Sequence, residues 1–172
     1  SFILFIPMAA ALILALLPGN KPRLLRLVAF LLSLIPFILT IFVWNRLDPS
    51  IQGFQFIENI PWYPAIGSSY HLGIDGLSLP MVLLTTLLTP LAILASSSIK
   101  QQPKIFFMLF LFLETGMLGV FLTLDLLLFF VFWEIGLIPM YFIINQWGGE
   151  KRNYASLKFI LYTMAGSLGL LL

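Results

Sequence analysis

Glu114, Glu134 and Lys158 are the side chains best placed to do chemistry, because each lies inside a long apolar run. At the centre of a membrane-spanning helix each would cost on the order of 2.5–3.5 kcal/mol on insertion scales, so each needs a reason to be there. Glu134 follows Asp125 by nine residues, which at roughly 1.5 Å per residue is about 14 Å of helix, near the membrane midplane. Glu114 follows Lys104 by ten residues on the preceding, oppositely directed run, about 15 Å in from the other face. Lys158 comes six residues after Arg152, roughly 9 Å deep, where its stem either reaches back to water or turns inward. Removal from water favours the neutral form of a carboxyl, and a nearby ammonium favours the ionised form. A mid-membrane glutamate with a switchable lysine partner therefore loads and releases a proton.

The local sequence bears on each candidate. Around Glu134 the string Phe129-Phe130-Val131-Phe132-Trp133-Glu134-Ile135-Gly136-Leu137-Ile138-Pro139 places a proline within about one turn. Pro139 has no N–H and loosens the helix by freeing the Ile135 carbonyl. The functional reading of Glu134 is a proton carrier; the structural alternative is a carboxyl that hydrogen-bonds a neighbouring helix. Glu114 sits in Leu113-Glu114-Thr115-Gly116-Met117-Leu118-Gly119. Small residues there permit close helix approach, so a protonated Glu114 bonding across that contact stands beside a functional role. Lys158 is either a basic anchor continuing the cluster before it or a polar link between Glu134 and a further site.

Composition sets the frame for these groups. Of 172 residues, 60% are hydrophobic and 9% charged, whereas a soluble domain is nearer half apolar and a quarter charged. The chain reads as an integral membrane protein. A net charge of +2, with no basic run and no Cys/His finger spacing, gives no support for nucleic-acid binding. The absence of cysteine excludes thiolate metal sites, iron–sulfur ligation and disulfides, and His71 alone cannot form a polyhistidine site. Any redox chemistry must belong to a partner, and no cofactor is expected in this chain.

Six apolar stretches approach spanning length, at about 2–17, 24–44, 77–98, 105–124, 126–147 and 154–172. The expected fold is all-α, a polytopic transmembrane helix bundle of about six spans. Lys21, Arg23 and Arg26, then Lys100 and Lys104, then Lys151 and Arg152 occupy alternate connections, while the opposite connections carry Arg46 with Asp48, Glu58, Asp75 and Asp125. Positive residues in short loops mark the cytoplasmic face, which predicts a non-cytoplasmic N-terminus. The connection at 45–74 is expected on the non-cytoplasmic side. Its aromatic residues and its Phe54-Gln55-Phe56 alternation predict a short strand or hairpin lying over the membrane surface. Asp75 and Ser78 are candidate caps of the third span, and the flanking glycines suit close approach to a neighbour. The start at Ser1 and the apolar run ending at Leu172 suggest the N-terminal portion of something longer.

Three strings, HLGIDGLSLPMVLLTTLLTPLAILAS (71–96), LDLLLFFVFWEIGLIPMYFIINQWGG (124–149) and YASLKFILYT (154–163), resemble the M-type, antiporter-like membrane subunit of respiratory complex I. The similarity is strongest to the cyanobacterial and chloroplast branch, the NAD(P)H-quinone oxidoreductase chain 4 family. Such subunits have about fourteen spans, so the chain resembles the first part of that antiporter-like fold. The resemblance implies that Glu134 is the fifth-span glutamate of a proton channel, and that Lys158 is the sixth-span lysine between it and a central lysine on a later span. It implies nothing for Glu114. It further implies a proton-translocating subunit of an NAD(P)H or ferredoxin:quinone oxidoreductase in a thylakoid membrane, with the N-terminus lumenal. The expected partners are other membrane-arm subunits and the lipid bilayer, with no nucleic acid and no small-molecule substrate other than protons. The rival readings are a subunit of a multi-subunit Na+/H+ antiporter and a non-transporting membrane scaffold.

Overall fold

The computed structural model describes residues 1–171, apart from the side chains of Ile66 and Leu171. In order these form α1 (Phe2–Leu16), α2 (Pro22–Arg46), β1 (Gln55–Tyr63), β2 (Ser68–Ile74), α3 (Ser78–Ala95), α4 (Pro103–Leu122), α5 (Leu126–Trp147) and α6 (Arg152–Leu171). By length and composition α2, α3 with its short 3₁₀ extension, α4 and α5 are each able to cross a membrane, and α1 is a shorter apolar helix. In hydrocarbon each backbone N–H and C=O must be satisfied within its own segment, which makes helices the form these runs adopt.

Helix boundaries follow local chemistry more closely than apolar content does. α2 and α4 begin at Pro22 and Pro103, two residues ahead of the apolar runs, because proline at the first position presets φ and has no N–H to leave unsatisfied. At α3 the Asp75 carboxylate accepts from the Leu77 and Ser78 amides at 3.2 and 2.7 Å, and the Ser78 hydroxyl accepts from the Asp75 amide at 3.0 Å. That reciprocal cap uses both expected residues. Asp125 caps α5 by accepting from the Leu128 amide at 2.9 Å.

The long connection is an antiparallel hairpin. Asn59 pairs with His71 and Ile60 with Tyr70, with irregularities between Gln55 and Glu58 and between Pro61 and Tyr63. Phe56 takes a positive φ of 53° within the first of these, a cost accepted where an extra residue re-aims a strand. β2 is the buried strand, with Leu72 and Ile74 in the core. The hairpin sits on the α4–α5 turn: the Leu124 amide donates to the His71 carbonyl at 2.8 Å, and Asp125 accepts from the Ser68 hydroxyl at 3.0 Å and the Ser69 amide at 3.1 Å. Gly73 permits this seat, since a Cβ there would stand 2.7 Å from Leu124 Cδ1. Gly76 has open space around it and has no such role.

α4 is the central helix, packing on α5, α1, α3 and α2, whereas α6 packs chiefly on α5. The core divides into two apolar clusters. One lies toward the hairpin and includes Leu4, Val82, Leu118 and Phe132; the other includes Leu14, Leu25, Ile93 and Leu111. Opposite the hairpin, the Lys104 ammonium donates to the Ala15 and Leu17 carbonyls at 2.5 and 2.8 Å, and the Trp147 indole donates to the Gln101 carbonyl at 2.9 Å. The α1–α2, α3–α4 and α5–α6 connections therefore share one end, and a cation sits where the last carbonyls of α1 need donors.

The α4 and α5 backbones come close at Gly116, where a Cβ would stand 2.8 Å from Gly136 Cα and 2.9 Å from Gly136 N. A Cβ at Gly136 would meet Gly116 Cα at 3.9 Å, an ordinary contact. Gly116→Ala is expected to destabilise the protein by about 1–3 kcal/mol through backbone overpacking, outweighing a helix-propensity gain of about 0.5–1 kcal/mol. Gly136→Ala should be tolerated, and thermal unfolding of the two variants in the same detergent checks the contrast.

Partial burial by itself would push the Asp125 carboxyl up, but the bonds it accepts from the Leu128 and Ser69 amides and the Ser68 hydroxyl hold it below its ordinary value of 3.8. Folding therefore favours the ionised form, and the stabilisation is fully present above the ordinary value and lost as pH falls through the lower folded one. Protection of the Ser69 and Leu128 amides, taken as the exchange rate of a free peptide relative to the observed rate at each pH, should fall on acidification over that range. In Asp125→Asn the acid-dependent step should be absent.

Candidate functional site

Glu134 stands on α5 facing α6. Its Oε1 accepts a hydrogen bond from the Ser167 hydroxyl at 2.5 Å. Ser167 is 7% exposed, and its oxygen also lies 3.1 Å from the Met164 carbonyl. One hydroxyl has one proton, so the two bonds cannot both be donated by Ser167. With Glu134 ionised, Ser167 donates to the carboxylate. With Glu134 protonated, the acid donates to Ser167, which then donates to Met164. The same oxygen positions thus satisfy either protonation state, a property that suits a group which gains and loses a proton.

The depth match arises from the α5–α6 turn. Glu134 lies thirteen residues before the end of α5, and Ser167 lies fifteen after the start of α6. The turn itself is held by Asn145, which donates to Asn153 and Ser156 at 3.3 and 3.1 Å, and by Arg152, which donates to the Gln146 carbonyl at 2.7 Å. Beside the Glu134–Ser167 pair an open groove of about 370 Å³ is lined by Phe129, Trp133, Tyr162, Thr163 and Gly166. Phe129 and Trp133 stack with ring centroids 6.0 Å apart, forming its aromatic wall. Pro139 stays within a continuous α5, five residues beyond Glu134.

Lys158 is not brought to Glu134. It lies nine residues before Ser167, which is about 13–14 Å along the axis and half a turn around it. Lys158 is exposed, and its ammonium lies over the Tyr154 and Tyr162 rings at 5.7 and 5.6 Å. Within the described residues the partner of Glu134 is a hydroxyl, and Lys158 presents its charge on the opposite face of α6. The separation is axial as well as angular, since Lys158 lies both above the level of the Glu134 contact along α6 and half a turn around the helix from it. Ser167 was legible in principle, as a small polar residue mirrored to Glu134 across the α5–α6 turn.

Glu114 is on a different face. It is fully buried, within the α1–α4 part of the bundle, between Leu111 of one apolar cluster and Leu118 of the other. Gly116 and Gly136 are each two residues past their glutamate on antiparallel helices, so the two carboxyls differ in depth by about 6 Å. Among the described residues there is no group of His, Asp and Glu able to hold a metal ion.

A family model described as NADH-ubiquinone oxidoreductase chain 4, amino terminus, matches residues 2–125, well over half of the chain. The chain belongs to the chain 4 family. Residues 123–172, which carry Glu134, Lys158 and Ser167, match a second model, NADH:quinone oxidoreductase/Mrp antiporter, TM. NAD(P)H-quinone oxidoreductase chain 4 2 of Thermosynechococcus vestitus is 42% identical over 97% of this chain and 32% of its own length. Respiratory complex I from Thermus thermophilus contains a chain that superposes with a TM-score of 0.83 at 30% identity, over 99% of this chain and 34% of that one. A chain of the Mrp complex from Dietzia shares the fold, with a TM-score of 0.80 at 21% identity over 99% of this chain and 18% of that one. The chain spans about a third of the length of the curated relative. As a chain 4 family member with apolar helices of spanning length, it is an integral membrane protein.

Ser167→Ala should leave the Glu134 carboxyl without its partner and lower stability by about 1–3 kcal/mol, while Ser167→Thr retains the hydroxyl and most of the stability. Thermal unfolding of the purified complex, with Lys158→Met expected to leave this contact intact, checks the assignment.

Proposed function

We propose that this chain is part of the proton-translocating membrane subunit of an NAD(P)H, or ferredoxin, quinone oxidoreductase of the complex I type. In this reading electron transfer elsewhere in the assembly drives proton movement through this subunit, which holds no redox centre of its own. The observation that carries it is Glu134, a mid-membrane carboxyl whose hydroxyl partner accommodates both protonation states. Chain 4 family membership supplies the assembly in which such a carboxyl would serve.

The mechanism is electrostatic. A cation that approaches Glu134 favours the carboxylate and expels its proton; a cation that withdraws favours uptake. Lys158 faces away from Glu134, so its role is to pass charge to a group on a segment packed against the outer face of α6. The partners are other membrane-arm subunits and lipid. The names of cyanobacterial relatives support a thylakoid location. The end that gathers Lys21, Arg23, Arg26, Lys100, Lys104, Lys151 and Arg152 supports a cytoplasmic assignment for those connections and a lumenal one for the N-terminus and hairpin.

A second reading is a subunit of a multi-subunit Na+/H+ antiporter, favoured by the family model shared with Mrp antiporters. Transport that requires sodium and proceeds without electron transfer would select it.

In the full-length subunit of the intact complex, Glu134→Gln is expected to assemble normally and to depress proton uptake into vesicles together with coupled electron transfer. Unchanged uptake in a fully assembled complex would make Glu134 a structural carboxyl and this region a scaffold.

A further inference from the structure

Glu114 takes no part in the arrangement around Glu134, yet its setting is the more extreme. It is 0% exposed, and neither carboxyl oxygen has a hydrogen-bond partner among the described residues. The Thr89 side chain lies beside it, but that hydroxyl is donated to the Thr85 carbonyl at 3.0 Å. No countercharge faces it from the elements packed on α4. α1 and α3 carry no ionisable side chain within their bounds, and α2 carries Arg23, Arg26 and Arg46 in its terminal turns. α5 carries Glu134, turned to Ser167, and β2 carries His71, at the hairpin end of the bundle. An unpaired charge there would be prohibitively desolvated, whereas the neutral acid has one O–H to place. The Thr89 hydroxyl oxygen, whose own proton is committed to the Thr85 carbonyl, keeps a lone pair that can accept it.

A cavity opens toward Glu114 from the end opposite the hairpin. Phe107 lies seven residues before Glu114 on the same face of α4 and lines a cavity of about 320 Å³ with Arg23, Arg26, Ser96, Ser97 and Lys100. Ser96, at the start of the 3₁₀ extension of α3, likewise lies seven residues beyond Thr89. The cavity thus ends about 10 Å short of Glu114, with Ile93 and Leu111, each 0% exposed, between them.

Resting on the reading of this chain as a proton-moving subunit, we propose that Glu114 is a second proton-binding carboxyl, protonated at rest, that exchanges its proton with water in the Arg23–Arg26–Lys100 cavity during turnover. Exchange requires the Ile93–Leu111 layer to part. The acid O–H then passes its proton to water, leaving a carboxylate that is reprotonated from the same cavity. Glu114 and Glu134 face different neighbours across the α4–α5 contact, so the two sites load independently.

The test is infrared spectroscopy of the intact complex, at rest and in turnover, with proton uptake measured on the same vesicles. The expected result is a carboxylic-acid band at rest that is lost in Glu114→Gln, shifted in Glu114→Asp and retained in Glu134→Gln. In deuterated buffer it should exchange slowly at rest and rapidly in turnover. Absence of any band moved by Glu114→Asp overturns the proposal, as does a band that turnover leaves unexchanged. Should Glu114→Gln fail to assemble, Glu114→Asp and turnover-dependent exchange in the unsubstituted complex decide the matter. Normal uptake in Glu134→Gln would remove the Glu134 reading while leaving each of these outcomes interpretable.

Discussion

The backbone contact between α4 and α5 at Gly116 and Gly136 is the constraint on which the placement of the ionisable groups depends. Lipid tails are as apolar as leucine side chains, so membrane helices associate through close packing rather than through a hydrophobic drive between them. The missing side chain at Gly116 lets α4 and α5 approach to backbone distance at Gly136. That approach leaves no room for a glutamate in the seam. Each carboxyl is therefore turned away from it, Glu114 toward α3 and Glu134 toward α6.

Those two outward faces give the carboxyls opposite surroundings. Glu134 meets a hydroxyl and an open aromatic groove, an environment that satisfies both the ionised and the neutral group. Glu114 meets Thr89, whose hydroxyl is already bonded to its own helix. The α3 threonines share a physical logic with the proline beside them. Each hydroxyl returns to the carbonyl of the preceding turn, which keeps polar groups off neighbouring helices, while Pro90 withholds one donor.

The hairpin is joined to the same framework at one point, Asp125. This residue caps α5 and holds Ser68 and Ser69 with the same carboxylate, so the start of the helix that carries Glu134 and the seat of the hairpin are set together. Asp125 was legible as a connection residue and Asp75 as a cap. That Asp125 also anchors a strand 57 residues earlier in the chain has no local signature, because the partners are a serine hydroxyl and a backbone amide that many positions could supply.

Composition and period determined the membrane class, the apolar helices and the alternation of their connections. These follow from the cost of charge and unpaired backbone in hydrocarbon and from the rise per residue, both of which are local. The hairpin was also readable, from alternation and turn residues. What only the tertiary structure decided is azimuth, the face of each helix that meets a neighbour. Lys158 and Ser167 share a helix, and the nine residues between them set half a turn, but nothing local specifies which face of α6 meets α5. Packing against Glu134 selected Ser167 and left Lys158 outside. The same holds for Glu114, whose isolation from every countercharge is a property of five packed elements and is written in none of them singly.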